Sequence, residues 1–184
     1  MRTFTSPVDF VKTACDLFRG PTFFMTFRRL DPVFREKLIL AFSSTNNCGL
    51  CMKVHTAWAL SLGLTEDDVE KLVRLDKHDF PEKEWLAFIY ARKFAALRGR
   101  EPKGPHVFAY MTAYSKKERA DITKILRMMK MANYSGNMIL GLPFRASLEP
   151  GRDFSRMGLL KRLPKRLEFI SALAANMLES GSAA

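Results

Sequence analysis

Apolar residues recur at three- and four-residue intervals along most of the chain, and the breaks between runs carry helix-start and helix-stop signals. Ser6-Pro7, with Asp9 at the capping-box position, opens a first segment that Gly20 stops. Asp31-Pro32 repeats the cap-then-proline signature ahead of VFREKLILAF. Residues 43–47, SSTNN, form a polar break, after which CGLCMKVHTAWALSLG runs to Gly63. Thr65 caps TEDDVEKLVRL, which has acids in its first turn, where the helix dipole favours them. Phe80-Pro81 leads into EKEWLAFIYARKFAALRG, and Gly104-Pro105 begins a shorter segment to about Tyr114. Ser115 and Glu118 make a capping box for KKERADITKILRMMKMANYSGNMILG. No run alternates with period two, and no strand precedes a glycine-rich loop. The pattern predicts an all-α fold, a helical bundle of about six to eight helices.

After Gly141 the pattern changes. Seven basic residues fall between Arg145 and Arg166 against two acids, Glu149 and Asp153. Leu160, Leu163, Leu167, Ile170 and Met177 return at helical spacing, interrupted at Pro164. The expected organisation is a helical domain over residues 1–141 and a basic C-terminal extension over residues 142–184, helical in part. The plainest role for the extension is an arm that packs on a neighbouring subunit and carries solvated charge. The other is a basic surface for a membrane of anionic lipid or for nucleic acid. No nucleic-acid-binding motif accompanies it.

Composition narrows the class. The 184 residues are enough for a core without staples, and 47% hydrophobic with 27% charged residues argues against disorder. A formal net charge of +11 favours anionic partners without choosing among them. Three cysteines do not make a secreted disulfide framework. With no leader-like segment and no apolar run of membrane-spanning length, the expected compartment is the reducing cytoplasm.

Chemistry concentrates in residues 48–55, CGLCMKVH. A helix starting at the polar break sets Cys48, Cys51 and His55 on one stripe, by i,i+3 and i,i+4 spacing. The first helical turn favours a thiolate, an imidazole one turn on can take the thiol proton, and the second sulfur is near enough to close a disulfide. Cys48, nearer the helix end, is expected to be the more exposed sulfur, whereas Cys51 is the one within reach of His55. A zinc site would need further ligands, for which only Cys15, His78, His106 or a carboxylate remain. A thioredoxin-type site would need a strand feeding the helix, and none is visible. Glu36, twelve residues before Cys48, is by itself a solvated residue of the run Arg35-Glu36-Lys37. If its helix folds back against the next, it can orient His55 as the acid of a triad does.

The pattern E-x11-C-x2-C-x3-H, followed by an Ala-containing helix, Gly-Leu-Thr and an acidic turn, resembles the alkylhydroperoxidase AhpD-like family of the carboxymuconolactone decarboxylase superfamily. The specific stretch is EKLILAFSSTNNCGLCMKVHTAWALSLGLTEDDVEKL, residues 36–72, with looser similarity over about residues 30–140. The resemblance implies an all-α fold, a homo-oligomer, and thiol peroxidase or dithiol-disulfide oxidoreductase activity on a hydroperoxide or small disulfide. It carries over Glu36 and His55 as a proton relay, Cys51 as the attacking thiol and Cys48 as the resolving one. The implied reductant is a dithiol protein, lipoyl or thioredoxin-like, and no metal or organic cofactor is required. Leu50 stands where the best-known members carry a second histidine, and Met138 follows Asn137 where family members often have arginine. The alternative function is a redox-sensing or anionic-surface-binding helical protein without turnover.

The remaining candidates have plainer expectations. Cys15 shares an apolar face with Val11 and Phe18 and is expected to be buried. His78 is expected in an exposed loop, and His106 at a helix start.

Overall fold

A computed structural model describes residues 1–140, and the basic extension expected over residues 142–184 lies outside the described residues. The described chain is all-α. Its helices are α1 (Pro7–Leu17), α2 (Phe23–Arg29), α3 (Pro32–Asn46), α4 (Gly49–Ser61), α5 (Glu66–Arg74), α6 (Glu82–Ala96), α7 (Pro105–Ala113) and α8 (Lys116–Leu140), with a 3₁₀ turn at Lys77–Asp79 between α5 and α6.

The helix starts follow the local signals. The Asp9 amide donates to Ser6 Oγ and the Phe34 amide to Asp31 Oδ1. Thr65 and Asp68 satisfy each other's backbone amides in a capping box, and so do Ser115 and Glu118. Each bond occupies one of the amides that a helix start leaves without an intrahelical acceptor.

Helix α3 is the centre of the domain. Leu38, Ile39, Leu40, Ala41 and Phe42 are all at most 1% exposed, so the helix is buried on every side and lies against α4, α5, α6 and α8. Helix α6 contributes Leu86, Ala87, Phe88, Ala91 and Phe94 to the same core, and α8 adds Ile122, Ile125 and Leu126.

Two expectations change, and one helix is added. Residues 43–46 do not break the chain: α3 continues through them, and only Asn47, in the left-handed conformation (φ 53°), turns it. Ser44 and Thr45 bond back to the Ala41 carbonyl within the helix, and Ser43 and Asn46 face a polar partner on α8. Asn133 Nδ2 donates to Ser43 Oγ, and Asn46 Nδ2 donates to Asn133 Oδ1, both at 3.2 Å. Helix α2 is an addition that its short, mixed sequence did not announce; Thr22 caps it. Asp121 of α8 anchors it, accepting from Arg29 at 2.6 Å and from Thr26 at 3.4 Å.

Cys15 is exposed, not buried. Helix α1 turns Thr13 inward, and Asp9 pairs with Arg98 and Lys130 at 3.3 and 3.5 Å, so polar anchors set its rotation. The apolar stripe of Val8, Val11 and Phe18 is left outside, with Phe18 89% exposed.

Candidate functional site

The turn between α3 and α4 brings the candidate residues together. Cys48 is the N-cap of α4; its Sγ takes the place of the usual cap oxygen and accepts the Cys51 amide at 3.4 Å. The Cys48 and Cys51 Sγ atoms are at bonding distance across a Cα separation of 5.3 Å, forming a disulfide at the start of the helix. His55 lies one turn beyond Cys51 on the same stripe, a spacing that sets Cβ atoms about 5–6 Å apart.

Helix α3 runs back along α4 and carries Glu36 to His55. Glu36 Oε2 lies 2.7 Å from His55 Nδ1, and Glu36 itself is 2% exposed. An ionised carboxylate can only accept, so beside a neutral imidazole this bond puts the proton on Nδ1 and leaves Nε2 as the nitrogen with a lone pair. The Trp58 ring meets the imidazole edge-on at 5.0 Å between centroids, which restrains the ring further.

Arg35 is part of the group, although nothing in the residue order announces it. In the run Arg35-Glu36-Lys37 all three residues have the look of a solvated face, yet Arg35 and Glu36 are both buried. Arg35 Nε lies 3.4 Å from Glu36 Oε1, and its terminal nitrogen donates to the Phe27 carbonyl at 3.1 Å. The guanidinium also lies over the Phe27 ring, 4.2 Å from its centroid. Helix α2, unforeseen from sequence, therefore supplies the seat for Arg35. Lys37 faces outward and pairs with Glu84 at 3.0 Å.

Helix α8 closes over the sulfurs. A Cβ on Gly136 would come within 3.3 Å of Cys48 Sγ and 3.7 Å of Cys51 Sγ. Asn137 Nδ2 donates to the backbone carbonyls of Asn46 and Arg2, at 3.1 and 2.8 Å, tying the turn to the same helix. The expected exposure of the two sulfurs is thereby reversed. Cys48 is 0% exposed, beneath the bare backbone of Gly136, and Cys51 is the more open at 7%. Glycine at 136 and polar residues four apart on α8 are the sequence features behind this closure, and neither identifies its target across the fold. Leu50, between the two cysteines, is half-buried and packs on the core.

Residues 13–80 match the carboxymuconolactone decarboxylase family. That stretch holds α3, α4 and α5 whole, and with them Glu36, Cys48, Cys51 and His55. The carboxymuconolactone decarboxylase family includes AhpD-like proteins and enzymes of both the AhpD and decarboxylase kinds. No curated protein and no solved structure matches the chain.

The other expected residues stay apart from this group. His78 lies in the exposed 3₁₀ turn. His106 lies at the start of α7, edge-on to Trp85 at 5.5 Å. Among the described residues, no three histidines, cysteines or carboxylates gather as a metal-ligand cluster. No described helix is long and apolar enough to cross a membrane.

Proposed function

We propose that the protein is a thiol peroxidase or dithiol-disulfide oxidoreductase that cycles Cys48 and Cys51 between dithiol and disulfide. The observation that carries this reading is the meeting of the Cys48–Cys51 disulfide with the buried Glu36–His55 pair at one helix start.

In the reduced form Cys51 is the attacking sulfur. It is the more accessible of the two and lies one turn from the imidazole. His55 Nε2 takes the Cys51 thiol proton, and Glu36 holds the ring in the tautomer that makes this possible. The thiolate attacks the terminal oxygen of a hydroperoxide, ROOH. An S–O bond forms, the O–O bond breaks, and RO⁻ takes a proton to leave as ROH. The Cys48 thiol then attacks the sulfenic sulfur, the disulfide closes and water is released. An external dithiol, lipoyl or thioredoxin-like, attacks the sulfur of Cys51, the less buried of the two cysteines, in turn. The Cys48 thiolate is a good leaving group, because the Cys51 amide already points at its sulfur. The full turnover oxidises one external dithiol, reduces one hydroperoxide and needs no metal or bound organic cofactor. A cytoplasmic, homo-oligomeric protein is the setting in which we place this cycle.

Intact mass tests the reading. Fully reduced protein is exposed to one equivalent of an organic hydroperoxide, alongside Cys48→Ser and Cys51→Ser. The expected result is a rapid loss of two hydrogens in the parent and a single-oxygen adduct in Cys48→Ser, with no adduct in Cys51→Ser. An unchanged parent mass on the timescale of peroxide consumption would defeat the peroxidase reading, and failure of the reduced protein to exchange with a small disulfide would defeat the oxidoreductase reading as well.

A further inference from the structure

A second cleft, built without any residue of α3 or α4, is lined by α7, α8, Tyr90 of α6 and the turn that joins α1 to α2. Its volume is about 360 Å³, within the roughly 300–1,000 Å³ typical of small-molecule sites. Lys116, Arg119, Thr123 and Arg127 line it from one stripe of α8, at three- and four-residue spacing. Arg19 adds a fourth cation from the α1–α2 turn, and Glu101 is the one acid in the lining.

Among the described residues these cations are poorly compensated. Arg19 pairs with Asp16, and Arg119 donates to the Met111 carbonyl. Among the described residues, Lys116 and Arg127 have no ion-pair partner. Like charges crowd here: burial first, and then the Arg127 charge, hold the neighbouring Lys124 ammonium below its ordinary pKa. A protein can leave such a row beside solvent at little cost, but a concave surface focuses its field on whatever anion enters.

The remaining lining adds an apolar and a hydrogen-bonding component. The Tyr90 and Tyr110 rings stack at 4.2 Å, 15° from parallel, beside Val107 and Met111. Tyr110 is 1% exposed, and its hydroxyl has no hydrogen-bond partner among the described residues. Burial raises its pKa well above the usual tyrosine value, so it remains a neutral donor. A buried donor without an acceptor is uncommon and calls for a partner. The guanidinium forks of Arg119 and Arg127 suit the paired oxygens of an oxyanion better than an ammonium group does.

We infer that this cleft binds a small organic anion, with a phosphate or carboxylate head among Arg119, Arg127 and Lys116 and an apolar or aromatic body against Val107 and Met111. The site is separate from the thiol group and does not depend on the redox reading.

Titration calorimetry on the full chain tests it with phenyl phosphate, inorganic phosphate and benzoate, at low and high salt. The expected result is saturable one-to-one binding of an aromatic anion, tighter than that of inorganic phosphate and weakened by salt. In Lys116→Gln/Arg127→Gln the affinity should fall by at least about tenfold, the size of a lost charge-assisted contact. Tighter phenyl phosphate assigns a phosphate head, and tighter benzoate a carboxylate head. Lys116→Gln alone, at an exposed helix start, serves if the double variant melts early, and should also weaken binding. Either no saturable binding of any probe or parental affinity in the folded variants overturns the site.

Discussion

His55 Nδ1 and Glu36 Oε2 lie 2.7 Å apart, although they belong to different helices and are nineteen residues apart in sequence. The contact exists because a single left-handed residue, Asn47, reverses the chain between α3 and α4. With Glu36 ionised and the imidazole neutral, it puts the ring proton on Nδ1 and leaves the lone pair on Nε2.

The carboxylate should therefore matter for rate more than for fold. Glu36→Gln keeps a hydrogen-bonding group of the same shape but no longer stabilises the imidazolium that forms as the Cys51 thiol loses its proton. His55→Ala removes the base and should slow peroxide-driven oxidation of the dithiol by about 100-fold or more. Glu36→Gln should show a smaller loss together with a shifted pH profile. Stopped-flow measurement of the oxidation against pH distinguishes the two. Parental kinetics in both variants would remove these residues from the mechanism.

Arg35 should be needed for stability as well. Arg35→Met leaves the Glu36 carboxylate buried without its cationic neighbour and removes the bond to the Phe27 carbonyl. Breaking a buried pair from one side costs about 3–5 kcal/mol. Urea denaturation of the reduced protein should show a loss of that order, with an unchanged slope. A loss below about 1 kcal/mol would mean that Arg35 is solvated in practice.

Gly136 should tolerate no branched side chain. A Cβ there would already meet Cys48 Sγ at 3.3 Å, and the two further carbons of valine would add to the crowding. Overpacking of this kind costs about 1–3 kcal/mol. In Gly136→Val either α8 or the α3–α4 turn must move, so Cys51 should react faster or slower with a neutral alkylating reagent after reduction. Parental stability together with parental alkylation would show that α8 does not close on the sulfurs.

Acid sensitivity should appear at the start of α8. The Ser115 amide, first, and then Lys83 and the Ser115 hydroxyl hold the Glu118 carboxyl down from its usual 4.5 to about 2. A carboxyl depressed in the folded state stabilises the protein above its unfolded pKa and loses that contribution as pH falls through the folded value. The parent should thus out-melt Glu118→Gln by a constant margin above about pH 5, and the margin should close between about pH 4.5 and 2. The effect will be modest, because Glu118 and Lys83 are both partly open to solvent. A margin that does not change over this range would mean that the charge at Glu118 makes no difference to folding.

What could be read without the fold follows the range of the forces involved. Ser6, Asp31, Thr65 and Ser115 mark helix starts because a capping bond spans only three residues. Cys48, Cys51 and His55 share a stripe because helix geometry alone sets their spacing. The all-α class, the CxxC with its histidine, and the family likeness over the α3–α5 region were therefore legible in the sequence.

What depends on distant partners was not. Whether Ser43 and Asn46 end a helix or extend it depends on Asn133, about ninety residues away. Whether Cys15 is inside depends on Asp9 finding Arg98 and Lys130. That Arg35 is buried depends on Phe27, and that Cys48 is shielded while Cys51 is the more open depends on the absence of a side chain at Gly136. Short-range hydrogen bonds and periodicity specify the helices and the reactive stripe from the residue order alone. Which groups are dry, which are paired and which cysteine is the less buried follow from packing, because burial and charge pairing arise only when segments far apart in the chain come together.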